Sequence, residues 1–211
     1  MRVSKLLEKY KVVFWDFDGV LMDSMSVRDK GFAMVLDKFP ASQVDKLLEY
    51  HRKNGGLSRY HKLRYFFEEI LDESVTDEKI QILASDFSVI MKSLLVDKKL
   101  LIAETVELAG EISGKGELRQ LIVSGSDQSE LRYLNQKLSI DQFFDGIYGS
   151  PTPKKELVSM LLKLEQIDKE SACLIGDSLN DQEAAEVNGI DFFGYNNPDF
   201  VNIAGVEMLT F

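Results

Sequence analysis

Asp16 and Asp18, with Phe17 between them and Gly19 behind, are the residues of this chain whose types and spacing most directly suggest chemistry. They follow Val12-Val13-Phe14-Trp15, an apolar run without alternation, as in a strand buried on both faces of a parallel sheet. Side chains along a strand repeat every two residues, so the spacing predicts that both carboxylates leave the strand end toward the same side. Gly19 lets the backbone turn close to whatever they hold. Such a pair can divide its work: one acid, ionised, serves as nucleophile or metal ligand, and the other shares a proton with a leaving group. The competing reading is an Asp-Gly hairpin turn between two strands.

Asp177 and Asp181 stand four apart where another strand gives way to a helix, a spacing that lets them face the same way. Alone they read more readily as a polar helix start, where acids are favoured by the helix dipole. Beside Asp16 and Asp18 they would make four carboxylates at neighbouring strand ends. Two unit charges about 4 Å apart repel by roughly 4 kcal/mol at an effective dielectric near 20, so a cation is expected among them. An all-oxygen set calls for a hard cation, Mg²⁺. His51 and His61 fall in a different segment and Cys173 precedes the strand end, so softer ligands are absent from the set. Ser124-Gly125-Ser126 offers a hydroxyl and free amides to a phosphate oxygen, or is a plain strand-to-helix turn. Lys154 and Lys155 are adjacent, and one pointing inward would neutralise a phosphate or an attacking carboxylate. Lys154, nearer the loop, is the preferred candidate.

The elements that must position these groups are legible in the periodicity. After the first strand, residues 24–95 change to helical spacing, with apolar stripes on Phe32, Val35, Leu36 and Phe39, then Leu47 and Leu48, then Leu63 to Leu71, then Ile80 to Met91. Pro40 and Asn54-Gly55-Gly56 separate the first three stripes. Four helices with no strand between them are therefore expected as an insertion. Helix and strand alternate thereafter, with strands at Arg119–Val123, within Phe143–Tyr148, at Ala172–Ile175, at Ile190–Phe193 and at Val206–Thr210. Asp127 with Glu130 three residues on has the form of a capping box. The fold class that follows is α/β: a Rossmann-like parallel sheet with helices on both faces and an inserted all-helical cap. Ligands of such sheets bind beyond the carboxyl ends of the strands, where all the polar residues named above lie.

The 211 residues suffice for a substantial core, and the net charge of −10 argues against nonspecific binding to nucleic acid or anionic membranes. No segment is apolar over a membrane-spanning length, the first ten residues lack the apolar centre of a signal peptide, and the single cysteine has no intrachain partner. A cytoplasmic location is the expectation, with oligomeric state left open.

The stretches DFDGV, VSGS, SPTPKK and GDSLND, in that order, resemble the four motifs of the haloacid dehalogenase-like hydrolases. The resemblance covers the whole chain and implies a catalytic core of residues 1–22 and 96–211 with a helical cap of residues 23–95. Carried over residue by residue, it implies that Asp16 is the nucleophile forming an aspartyl-phosphate. Asp18 is then the general acid and base, and offers its backbone carbonyl to Mg²⁺. Ser124 binds the transferring phosphoryl group with help from Gly125 and Ser126, Lys154 orients it, and Asp177 ligates Mg²⁺. Asp181 is either a ligand or a support for the lysine or for a metal-bound water.

Within that family, Asp18 sets this chain apart from dehalogenase-like members, which lack the second acid, and from phosphonatase-like members, which carry a small residue there. The implied activity is Mg²⁺-dependent hydrolysis of a small phosphorylated metabolite. The competitor is a sugar phosphomutase, because Gly56-Leu57-Ser58-Arg59 is similar to a cap stretch of β-phosphoglucomutase-like members in which the arginine holds a distal phosphate. Arg59 is accordingly a candidate substrate-binding residue. Against the mutase, those members carry a histidine near the position of Arg28. A non-catalytic phosphoacceptor module of the receiver type is a third possibility, disfavoured by the paired acids on one strand end and by the insertion.

Overall fold

The computed structural model describes residues 9–116, 118–203 and 205–211; residues 1–8, where the absence of a leader was expected, lie outside them. Six parallel strands form one sheet in the order β3-β2-β1-β4-β5-β6. They are β1 (Val12–Trp15), β2 (Arg119–Asp127), β3 (Gly146–Ser150), β4 (Ala172–Gly176), β5 (Asp191–Gly194) and β6 (Glu207–Met208). The α-helices among the described residues are α1 (Met25–Val35), α2 (Ala41–Lys53), α3 (Arg59–Tyr65), α4 (Asp77–Leu94), α5 (Ala103–Lys115), α6 (Gln128–Leu138), α7 (Lys154–Leu164) and α8 (Leu179–Asn188).

Strand β1 lies between β2 and β4, with Phe14 opposite both Leu121 and Leu174. All four of its side chains are buried. Val12 and Phe14 pack toward α7 and α8 through Leu157, Leu161 and Ala185, whereas Val13 and Trp15 join the cluster containing Leu108, Ile112 and Leu134 of α5 and α6. A strand covered by helices on both sides has no solvent face, which is why its sequence does not alternate. The order of strands also reverses at β1: β2 lies on one side of it and β4 on the other, and a crevice opens beyond their carboxyl ends.

The segment between β1 and α5 holds four α-helices and no multi-residue strand, as the periodicity predicts. The stripe expected as one helix over Leu63 to Leu71 is instead the short α3 followed by a π turn at Phe66–Ile70. The wider turn carries Phe66 and Phe67 inward together, and both rings meet Phe39 edge-on at 5.1 and 5.6 Å. The apolar cluster on one face of the sheet continues into these helices through Phe32, Leu47, Leu63 and Phe87. The two connecting segments run side by side: Asp23 donates to the Leu100 carbonyl at 2.8 Å and Ile102 to the Leu21 carbonyl at 3.0 Å.

Strand β2 runs on to Asp127, past the Ser124-Gly125-Ser126 stretch at which it was expected to end, and its pairing with β3 shifts register between Val123 and Asp127. Among the described residues no helix is long and apolar enough to cross a membrane.

Candidate active site

Strand β1 delivers Asp16 to the crevice, where it is buried and its Oδ1 lies 2.7 Å from the Lys154 ammonium. Lys154 begins α7 and also reaches Asp181 Oδ1. The other oxygen of Asp181 accepts from the Ser178 amide at 3.0 Å and the Ser178 hydroxyl at 2.7 Å, so its carboxylate is held from both sides. Lys155, by contrast, is exposed and pairs with Glu183 at 2.9 Å. Of the two adjacent lysines, Lys154 is therefore the one that faces Asp16.

Asp16, Asp177 and Asp181 each offer an oxygen within 4.8 Å of the others. Burial and the neighbouring Asp181 push the Asp16 carboxyl up to about 7. Burial and Asp16 push Asp177 up to about 9. One ammonium thus leaves much of the negative charge in this cluster uncompensated. For Lys154, burial works to lower the pKa, but Asp16 and Asp181 overcome it and hold the ammonium well above its ordinary value. Gly19, at φ +81°, makes the approach possible: a Cβ there would stand 1.9 Å from Asp177 Oδ2.

The expected common direction of Asp16 and Asp18 fails at Asp18. Asp16 faces Lys154, whereas Asp18 faces the helical segment, because the chain has left the strand at Phe17 and curls into a turn closed by Leu21 N–H to the Phe17 carbonyl. Asp18 Oδ1 accepts from Arg28 Nε at 2.6 Å and from the Ser24 hydroxyl, and Oδ2 accepts from the Ser126 hydroxyl at 2.6 Å. Burial alone would raise the Asp18 carboxyl, but Arg28 and these two hydroxyls hold it below the usual carboxylate range.

Ser124 and Ser126 are both buried at the end of β2, and the Ser126 amide donates to Ser124 Oγ at 3.1 Å. Ser126, a candidate for substrate contact, has its hydroxyl directed at Asp18. Gly125 lies directly under the Gly55-Gly56-Leu57 loop, where a Cβ would come 2.2 Å from the Gly56 carbonyl oxygen. Arg59 opens α3 and reaches a cavity of about 20 Å³ that Asp18, Arg28, Lys62, Gly125 and Ser126 also line. Its guanidinium stacks on Phe87, and Nη1 donates to Glu130 Oε2 and Ser88 Oγ, each at 2.7 Å.

The sequence reading missed Ser24, Lys62, Ser178 and Glu130 as neighbours of the site. Ser24 and Ser178 had a usable signal, Ser24 lying just beyond the first acid-bearing stretch and Ser178 within the fourth. Lys62 had none beyond its place in a helical stripe. The expected capping box at α6 forms only in part. Asp127 does accept the Ser129 and Glu130 amides at 3.0 Å, but the Glu130 side chain turns away from the helix start to the two arginines.

The family model described as haloacid dehalogenase-like hydrolase matches residues 13–195. No curated protein matches the sequence. Among solved structures, a variant of CbbY from Rhodobacter sphaeroides in complex with xylulose-(1,5)bisphosphate is similar at 16% identity and TM-score 0.76, over 95% of this chain and 93% of that one. A β-phosphoglucomutase from Clostridium difficile is similar at 16% identity and TM-score 0.74, over 95% and 91%. A predicted phosphoglycolate phosphatase from Haemophilus somnus is similar at 15% identity and TM-score 0.67, over 88% and 85%. At these identities the likeness is one of fold. The matched residues run from β1 to Tyr195 and so span the acid pair, the serine turn, the buried lysine and the aspartate cluster, and the chain belongs to the haloacid dehalogenase-like hydrolases.

Proposed function

We propose that the protein is a Mg²⁺-dependent phosphatase acting on a small phosphorylated metabolite through an aspartyl-phosphate at Asp16. The observation that carries this reading is the division of labour between the two acids of the first motif. Asp16 is set against an ammonium inside an aspartate cluster, and Asp18, two residues on, lines the neighbouring cavity and pairs with Arg28. A nucleophile and a proton carrier acting on one phosphate ester need this separation.

In the proposed reaction Asp16 attacks phosphorus, the phosphorus–oxygen ester bond breaks, and Asp18, ionised in the free protein, passes to the departing oxygen the proton brought in by the monoanionic ester. Water then attacks the aspartyl-phosphate, Asp18 takes its proton, and Asp16 is restored with release of inorganic phosphate. Lys154 holds Asp16 in place and offers positive charge to the phosphoryl oxygens, joined by the Ser124 hydroxyl and the amide of Gly125. The donor set of Asp16, Asp177 and Asp181 is all oxygen, buried at Asp16 and Asp181 and half-buried at Asp177, and short of positive charge, and so fits Mg²⁺. The backbone carbonyl of Asp18 completes the proposed ligands. When bound, the cation supplies charge neutralisation to the phosphoryl group.

Residues 23–95 act in this reading as a cap over a core of residues 1–22 and 96–211, with Arg59 facing the non-reacting part of the substrate. The phosphomutase alternative is weakened by Arg28, which occupies Asp18 where an imidazole would be needed. The test is phosphate release from a panel of phosphorylated metabolites with and without Mg²⁺, with Asp16→Asn as control. Turnover that disappears with excess chelator and with Asp16→Asn is expected. Full activity in chelator would remove the metal from the account, and full activity of Asp16→Asn would remove the nucleophile.

A further inference from the structure

Glu130 is wholly buried, yet the proposed chemistry makes no use of it. Its carboxylate projects from the first turn of α6 between two arginines of the inserted helices. Oε1 accepts from Arg28 Nη1 at 3.1 Å and Oε2 from Arg59 Nη1 at 2.7 Å, and both arginines are themselves at most 5% exposed. Arg28 continues through Nε to Asp18. Around the cavity, then, two guanidiniums are matched by two carboxylates, Asp18 and Glu130. The remaining cation lining it, Lys62, is pushed down to about 7 by burial and by Arg28, and its Nζ lies 2.8 Å from His51 Nδ1. Asp127, beside Tyr60, adds a further acid near Arg59.

What remains unmet is hydrogen bonding rather than charge. Nη2 of Arg28 and Nη2 of Arg59 are buried and have no protein partner among the described residues. An unpaired buried donor is costly, and a bound oxygen acceptor relieves that cost. In a cluster whose charges already balance, a hydroxyl or carbonyl oxygen satisfies those donors without adding charge. A carboxylate or second phosphate would bring an uncompensated anion into a buried site.

We infer that Glu130 is a specificity-determining residue: it supplies from within the protein the anion that the two cap arginines pair with, so that the site selects phosphate monoesters whose remainder is neutral and hydroxyl-bearing over phosphorylated acids and bisphosphates. This inference rests on the phosphatase reading above. Glu130 touches no reacting atom and acts through Arg28 and Arg59.

A matched pair of substrates tests it, glycerol 3-phosphate and 3-phosphoglycerate, which differ at the far end by a hydroxymethyl group against a carboxylate. The wild type is expected to favour glycerol 3-phosphate by about tenfold or more in kcat/KM. Glu130→Gln, which keeps the shape and removes the charge, should shift that ratio toward 3-phosphoglycerate by about tenfold. Arg59→Gln, which leaves the acid in excess, should shift it the other way, and the double variant should return to the wild-type ratio. A loss of packing alone would not reverse and then restore a ratio between two substrates.

Equal ratios in wild type and Glu130→Gln, or a wild type that prefers 3-phosphoglycerate, would overturn the inference. If circular dichroism shows Glu130→Gln unfolded, the ratio in Arg59→Gln decides, and no shift there overturns it. p-Nitrophenyl phosphate separates the two levels. Hydrolysis of this ester with an unresponsive ratio defeats only the role of Glu130. If no ester is hydrolysed, the phosphatase reading fails, and the thermal shifts produced by the same two compounds in wild type and variants still decide whether Glu130 sets the charge preference.

Discussion

Lys154 and Lys155 are neighbours in sequence with opposite surroundings. Removing Lys154 strips the cluster of its only direct ammonium contact among the described residues, whereas Lys155 makes one exposed ion pair with Glu183. Breaking a buried pair from one side costs about 3–5 kcal/mol, and an exposed pair is worth roughly 0–1 kcal/mol. Lys154→Ala should therefore lose both phosphate release and thermal stability, and Lys155→Ala should lose neither by a measurable amount. Bound Mg²⁺ would offset part of the stability loss, but the phosphoryl oxygens would still lack their amine. A comparable loss in both variants would place the catalytic lysine elsewhere. For Asp18→Asn the expected pattern is a loss of about 10²–10⁴-fold on an alkyl phosphate, which needs its leaving oxygen protonated. The loss on p-nitrophenyl phosphate, a good leaving group, should be smaller. Equal losses on the two esters would mean that Asp18 is not the general acid.

Helix α3 carries a second buried lysine whose behaviour belongs to the element rather than to the chemistry. Lys62 is enclosed by α2 and by the Gly55-Gly56 loop, with Gly55 carbonyl oxygen 3.1 Å from its Nζ. Burial, with Arg28 next in weight, lowers its pKa from 10.5 to about 7. The unfolded chain keeps this proton up to about 10.5, and the folded chain releases it above about 7. Between those values the unfolded state binds more protons, so the contribution of Lys62 makes stability rise with pH across that window. Lys62→Met should remove this contribution, flattening the rise in unfolding temperature between pH 7 and 10 and stabilising the protein most at the neutral end. An unchanged pH profile would show that the ammonium is solvated in the folded protein.

At the scale of the molecule, one place where the inserted helices meet the sheet is a small loop. A Cβ on Gly125 would meet the Gly56 carbonyl oxygen at 2.2 Å, a contact with backbone that no side-chain rotation relieves. Gly125 does not adopt a positive φ, so alanine is compatible with its own backbone and the conflict falls entirely on the approaching loop. Gly125→Ala should hold the helical segment away from the site and admit water, lowering kcat/KM on the order of 10²-fold. Small-angle scattering should show a larger radius of gyration for that variant. Unchanged scattering and turnover would mean that the loop yields and closure does not depend on this contact.

The residues gathered at the candidate site were readable because each follows a local rule. Asp16 ends an unbroken apolar strand, Asp177 ends another, and the serines and Lys154 fall at the matching strand ends, where a parallel sheet gathers its ligands. The order of those stretches along the chain was enough for the family resemblance, and the helical stripes were enough for the insertion. Tertiary structure alone decided the directions of the side chains once the chain had left regular structure. Asp18 turns from Asp16 to Arg28 because the backbone curls after Phe17, which strand periodicity does not describe. Glu130 has the local signature of a helix cap, and its use as the partner of Arg28 and Arg59 follows from a contact with residues 71 and 102 positions away. Local spacing records how a chain meets itself within a few residues. The balance of buried charge is settled only when distant segments share one low-dielectric space and every ion in it must find a partner.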